Sequence, residues 1–272
     1  MKKTFLLSCL MLAAMPVMAA YTGHVYVDKN KNGVFDQSEK PLAGIKVSDG
    51  LNVVETAADG SFTLPGHERE RFIFITTPSG YKTFNRHYHK IEKKQSGYDF
   101  GLIPYSGRIR KDGSHRYIHI TDTEIFNTEN HADWVNNVHD YARNEQAAFI
   151  IHTGDICYEK GLKAHIKLMN TENMDCPVFY CIGNHDLVKG KYGEELFESI
   201  YGPVYYSFDA GNVHYVVTPM PGGDHAPGYT SDDVCRWLKN DLAHIRPGTP
   251  VVVFNHDLLT YEDTFIFKSK NA

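Results

Sequence analysis

Three segments place carboxylates, an amide and imidazoles at turns beyond short apolar runs. They are Asp122-Thr123-Glu124 after Tyr117-Ile118-His119-Ile120, Gly154-Asp155 after Ala148-Phe149-Ile150-Ile151, and Gly183-Asn184-His185-Asp186 after an apolar run. His256 follows a fourth run, Val251-Val252-Val253-Phe254, by two residues. Carboxylates suit hard divalent ions and imidazole adds affinity for zinc, iron or manganese, so a mixed Asp, Asn and His set points to a transition-metal centre. If Asp155 bridged two ions ~3.5–4 Å apart, the pair could lower the pKa of a shared water and clamp a phosphoryl group. His185 would then stabilise or protonate the leaving oxygen, with Asp186 orienting its ring. Each motif alone is weak, since Gly-Asp is usually a turn and Asn-His-Asp more often a loop than a ligand. Their order along one pattern points to a metal-dependent hydrolase.

The elements that must position these groups change character along the chain. From Tyr21 to about Tyr105 the sequence reads as short strands at Gly23–Val27, Ile45–Val47, Asn52–Thr56, Ser61–Leu64, Phe72–Thr76 and Tyr98–Leu102. Turns at Asn32-Gly33, Asp49-Gly50, Asp59-Gly60 and Pro78-Ser79-Gly80 separate them. This spacing predicts an all-β sandwich over residues 20–106, followed by a polar linker at 107–114. From 115 to 272 strands at Tyr117–Thr121, Phe149–His152, Val178–Ile182, His214–Thr218 and Val251–Phe254 alternate with helices at Asp133–Asn144, Lys160–Met169, Glu194–Ile200 and Asp232–Leu242, the pattern of a layered α/β domain. Asp122, Asp155, Asn184 and His256 all fall just past a predicted strand end, where ligands collect in such sheets. His119 and His152 lie inside strands and read as core or supporting residues.

Residues 1–19 carry Lys2 and Lys3, an apolar run from Phe5 to Met18 and small residues at Ala19 and Ala20, the layout of a cleavable secretory signal. The expected location is therefore outside the cytoplasm, in a bacterial periplasm, at the cell surface or secreted. Without those residues the chain holds 26 basic and 33 acidic residues, which argues against a basic nucleic-acid-binding surface. No later stretch approaches membrane length. Cys157, Cys176, Cys181 and Cys235 remain, and read as buried thiols or a disulfide in preference to metal ligands. Oligomeric state is not readable.

With those motifs in place, residues 115–272 resemble the calcineurin-like metallophosphoesterases. Their ordered blocks are Asp-x-His, Gly-Asp, Gly-Asn-His followed by Asp or Glu, a later His, and Gly-His-x-His. Gly154-Asp155 and Gly183-Asn184-His185-Asp186 match, and His256 falls where the later His is expected. The resemblance implies an α/β/β/α sandwich. Asp122 would bind one metal, Asp155 would bridge, Asn184 and His256 would bind the second, and His185 would contact phosphate and leaving group. Glu124 stands where the first block has His, a harder ligand favouring manganese or magnesium over zinc or iron. No Gly-His-x-His follows His256 before Ala272, so the resemblance reads the chain as a truncated member, incomplete at its C-terminus. His225 is the alternative source of a missing ligand.

Asp28 to Glu39 fits the twelve-residue calcium loop, with Asp28, Asn30, Asn32, Val34, Asp36 and Glu39 at the ligand positions and Gly33 at the sharp turn. The flanking helices of that motif are missing, and an Asn-Gly turn with solvated acids fits as well. Pro41 to Gly50 and Thr56 to Phe62 resemble the β-sandwich modules related to transthyretin and carboxypeptidase regulatory domains, which are appended to exported enzymes. The expected function is an exported phosphoesterase. It would use two divalent ions, manganese, iron, zinc or magnesium, to activate a hydroxide against a phosphomono- or phosphodiester in a small molecule or polymer. The alternative is a non-catalytic surface or adhesion protein carrying a degenerate phosphoesterase domain.

Overall fold

The computed structural model describes residues 20–257 except 94, 96 and 107. The secretory-signal reading of residues 1–19 and the stretch after residue 257 therefore lie outside the described residues. In the amino-terminal region β1 (Tyr21–Val27), β2 (Lys40–Pro41), β3 (Lys46–Ser48), β4 (Val53–Glu55), β5 (Ser61–Leu64), β6 (Phe72–Ile75), β7 (Tyr81–Thr83), β8 (Tyr88–Lys90) and β9 (Phe100–Pro104) form two sheets. One runs β2-β1-β9-β7 with β5 also on β1, and the other runs β4-β3-β6-β8. Val25, Phe62 and Leu102 from the first sheet join Val47, Ile73 and Ile75 from the second in one buried cluster. Alternation produces this directly: in Ser61-Phe62-Thr63-Leu64 the two apolar residues are buried and Thr63 is exposed. Three short strands, β2, β7 and β8, were not expected from the sequence.

Beyond residue 115, β10 (Tyr117–Ile120), β11 (Phe149–His152) and β12 (Val178–Tyr180) make a parallel sheet in that order. A second sheet holds β13 (Tyr206–Ala210), β14 (Val213–Val217) and β15 (Val251–Phe254), with β14 antiparallel to β13 and parallel to β15. The helices are α1 (Ala132–Asn144), α2 (Tyr158–Leu168), α3 (Glu195–Tyr201) and α4 (Ser231–Ala243). β11 is buried on both faces, which is why it reads as a continuous apolar run. Ile150 joins Val135, Leu162 and Phe197 of the helices on one side. Phe149 and Ile151 join Phe208, Val216 and Trp237 on the other. No helix among the described residues is long and apolar enough to cross a membrane.

The two regions pack against each other through the second amino-terminal sheet. Phe72, Phe74 and Tyr88 share the buried cluster of Phe208 and Trp237. Backbone pairing continues the contact, with the Asp209 N–H donating to the Thr77 carbonyl at 2.8 Å. Lys46 and Asp209 meet at 3.2 Å across the same seam.

Candidate metal centre

Parallel register aligns the carboxyl ends of β10, β11 and β12, pairing Ile120 with His152 and His152 with Tyr180. The loops leaving these ends therefore converge. Asp122, Glu124 and Asp155 all take left-handed backbone, with φ of 51°, 45° and 53°. Each such residue costs on the order of 1–2 kcal/mol without a glycine's freedom, and such strain gathers at functional sites. Hydrogen bonds between the loops hold it: the Asp122 N–H donates to the Gly154 carbonyl at 3.0 Å, and the Glu124 N–H to the Asp155 carbonyl at 3.4 Å.

Two glycines let the loops touch. Gly154 has φ +103°, and a Cβ there would lie 2.6 Å from the Gly183 nitrogen. A Cβ on Gly183 would lie 2.2 Å from both the backbone nitrogen and Oδ1 of Asp155. The glycines of the Gly-Asp and Gly-Asn-His-Asp segments are thus required by each other's proximity.

Ligand atoms of Asp122, Asp155 and His256 all lie within 4.8 Å of one another. His256 Nδ1 sits 2.9 Å from the Thr153 carbonyl, which can only accept, so Nδ1 donates and the ring turns its Nε2 inward. That Nε2 faces Asp155 Oδ2 at 3.4 Å. Two carboxylates and one imidazole converging in this way are a suitable donor set for a divalent metal. Glu124 is exposed and is not among the converging donors. Asn184 begins a single 3-10 turn, Asn184–Asp186, directly beside Asp155, whose Oδ1 accepts the His185 N–H at 3.1 Å. His225 is exposed and outside the group, as is Cys157, a free thiol.

Residues 115–268 match the family model for calcineurin-like phosphoesterases, more than half of the chain. Residues 29–104 match the model for the N-terminal region of calcineurin-like phosphoesterases. The chain belongs to the calcineurin-like phosphoesterase family. No curated protein matches it.

The remaining contacts divide the phosphoesterase's His185 and Asp186 between separate tasks. Asp186, expected to orient the His185 ring, points away from it and is fully buried. Its Oδ1 accepts the Cys157 N–H at 2.8 Å and its Oδ2 the Gly183 N–H at 2.9 Å, so it ties the Asp155 loop to the Gly183 turn. The ring of His185 instead meets Asp224, with Nδ1 2.8 Å from Oδ2. That hydrogen bond, reinforced by Asp155 and Asp186, raises the imidazole pKa above its ordinary value. Tyr158 lies against the same ring at 5.3 Å between centroids. Asp224 carried no sequence signal beyond its place in a glycine-rich loop 39 residues on.

His152 supports the centre without joining it. Its Nδ1 accepts the Gly154 N–H at 3.2 Å, so its Nε2 donates to Thr123 Oγ1 at 2.8 Å, fixing the loop between Asp122 and Glu124. Burial keeps this ring neutral. His119 reaches Thr153 Oγ1 at 2.9 Å. All four described cysteines are free thiols, so the disulfide alternative is not realised.

The Asp28–Glu39 loop is closed by its own side chains. Asp28 accepts the Asn32 and Gly33 N–H groups at 3.1 and 2.9 Å, and Glu39 accepts those of Lys29 and Asp36 at 2.8 and 3.2 Å. Both carboxylates are buried.

Proposed function

We propose that the chain is an exported hydrolase of phosphomono- or phosphodiesters working through a dinuclear metal centre. The observation that carries this reading is the convergence of Asp122, Asp155 and His256 at the ends of the aligned strands. Asp122 would serve one metal, Asp155 both, and Asn184 with His256 the second, with Glu124 available at the rim. When bound, divalent ions supply an activated water and offset the charge that builds on the phosphoryl oxygens. His185, held toward its protonated form by Asp224, is placed to donate a proton to the leaving oxygen. The substrate is a phosphate ester of a small molecule or polymer.

The amino-terminal region is proposed as a β-sandwich that spaces and braces the catalytic region, with the Asp28–Glu39 loop taking Ca²⁺ through the ligand spacing of its sequence. Changing Asp155→Asn tests the catalytic reading: metal content and activity on an aryl phosphate should both be lost. Retained activity would refute it. A second reading, a degenerate surface protein, is favoured by Glu124, which replaces the usual His and stays outside the converging donors. Metal analysis separates the two, since a remnant would not hold transition metals in near-stoichiometric amounts.

A further inference from the structure

The loop between β14 and α4 carries Asp224, and it is fastened at two places of different origin. At one end it rests on the catalytic turn. The Asp224 N–H donates to the Asn184 carbonyl at 3.1 Å, and Gly223 packs so closely that a Cβ would come within 2.6 Å of that same carbonyl oxygen. At the other end the Gly228 N–H donates to Glu194 Oε2 at 2.9 Å, and the Gly193 N–H donates to the Ala226 carbonyl at 2.8 Å. Glu194 is itself held from outside the catalytic region. Arg71, immediately before β6 of the amino-terminal sheet, reaches Glu194 Oε1 at 2.8 Å and Glu198 Oε1 at 2.9 Å through its Nη2. Its guanidinium also lies 4.4 Å from the centre of the Tyr192 ring. Glu194 has no exposed side-chain surface, so these partners, and not water, satisfy its carboxylate oxygens.

Most of the intervening loop, residues 221–228, is exposed or half-buried and lacks regular structure. Such a segment opens easily unless it is fastened. Asp224 must nevertheless sit within hydrogen-bond range of His185, whose ring is itself half-exposed and cannot fix that geometry through burial. Its position is set by the two anchors. A neighbouring ion pair supplies the contrast: Arg69 meets Asp233 at 2.7 Å across the same seam, but Asp233 lies on helix α4 and bonds Thr230 at the start of that helix, not the Asp224 segment between the two anchors.

We infer that Arg71 is a positioning residue for the reaction. Through Glu194 and Gly228 it holds the loop that keeps Asp224 against His185, so the amino-terminal region completes the catalytic site without touching substrate. This rests on the phosphoesterase reading for its catalytic consequence and on the hydrogen bonds alone for its mechanical one.

The test compares full-length wild-type, Arg71→Met, Arg71→Lys and Arg69→Met chains, first by amide hydrogen exchange and then by kinetics on an aryl phosphate. In Arg71→Met, peptides across residues 219–229 should exchange faster while those of β10 and β11 do not. The kcat should fall by about tenfold or more, since small misplacements of catalytic groups are costly, with KM changed less than about twofold. Arg71→Lys should recover part of both effects, and Arg69→Met should show neither. If Arg71→Met does not fold, Arg71→Lys carries the comparison, with a smaller but same-signed effect. Unchanged exchange in the loop, a loosened loop with unchanged kcat, or the same response in Arg69→Met would each overturn the inference. A wild-type chain that is loaded with metal yet inactive would refute the phosphoesterase reading, while loop exchange would still decide whether Arg71 is the brace.

Discussion

Replacing Gly183 by alanine should damage the metal centre through a single methyl group. The backbone of Gly183 is extended, at φ −95° and ψ 176°, so alanine meets no conformational penalty there. Only the contact matters. The added Cβ would stand 2.2 Å from Asp155 N and Oδ1, whereas ordinary van der Waals contact begins near 3.4 Å. The two loops must therefore separate by about 1 Å, which overpacking data put at about 1–3 kcal/mol in stability. The larger effect falls on function, because Asp155 Oδ1 also receives the His185 N–H and its Oδ2 faces His256. A displacement of about 1 Å in such a group costs on the order of 100-fold. Calorimetric titration with Mn²⁺ and initial rates on p-nitrophenyl phosphate should both show losses of that order. Gly222→Ala is the control, because nothing lies within 4 Å of a Cβ there. A folded Gly183→Ala protein with wild-type metal affinity and rate would refute the argument that the two loops form one ligand platform.

Three further outcomes follow from burial and charge. Burial lifts the Glu198 carboxyl from 4.5 to about 7 despite the pull of Arg71, with Glu194, Tyr192 and Lys90 also facing it. Between these values the folded state holds a proton that the unfolded state has released, so stability falls as pH rises from 4.5 to 7, by at most about 3 kcal/mol. Glu198→Gln should flatten that slope in pH-dependent thermal melts, and parallel curves would contradict it. Burial also pushes Cys157 up to about 12 and Cys176 up to about 11 and raises Cys181, leaving half-buried Cys235 the least shielded. Iodoacetamide at pH 8 should label Cys235 first in the native chain starting at Ala20, and all four once it is denatured without reductant. Fewer labels would reveal a disulfide. Calcium should raise the melting temperature of the wild type and leave Asp28→Asn unmoved, with equal shifts in both counting against the loop.

Much of this architecture was legible in the residues because burial writes itself into sequence. Phe149–His152 reads as a strand since both its faces are covered, and the Gly-Asp and Gly-Asn-His-Asp turns stand out because their glycines answer a contact that allows no side chain. Strand β13 was harder to see: Tyr206, Phe208 and Ala210 are buried in alternation, but Ser207 is buried too, paired with Asp241 and Thr76. Strands β7 and β8, of three residues each, are set by their partners and not by any local pattern. His185 pairs with Asp224 and not with its neighbour Asp186 for a geometric reason. Adjacent residues on a helical turn point in different directions, so Asp186 turns inward to two backbone N–H groups while the ring faces outward. Asp224, which meets that ring, is brought there by a loop whose course depends on Arg71, far away in the chain.

The central claim, that Asp122, Asp155 and His256 form a metal centre for ester hydrolysis, is tested most directly by stripping the protein with a chelator and titrating Mn²⁺ back while following p-nitrophenyl phosphate hydrolysis. Activity should vanish on stripping and return in step with bound metal in the wild type, and neither binding nor activity should return in Asp155→Asn. Hydrolysis that persists in the stripped protein, or metal uptake by Asp155→Asn equal to that of the wild type, would contradict the account.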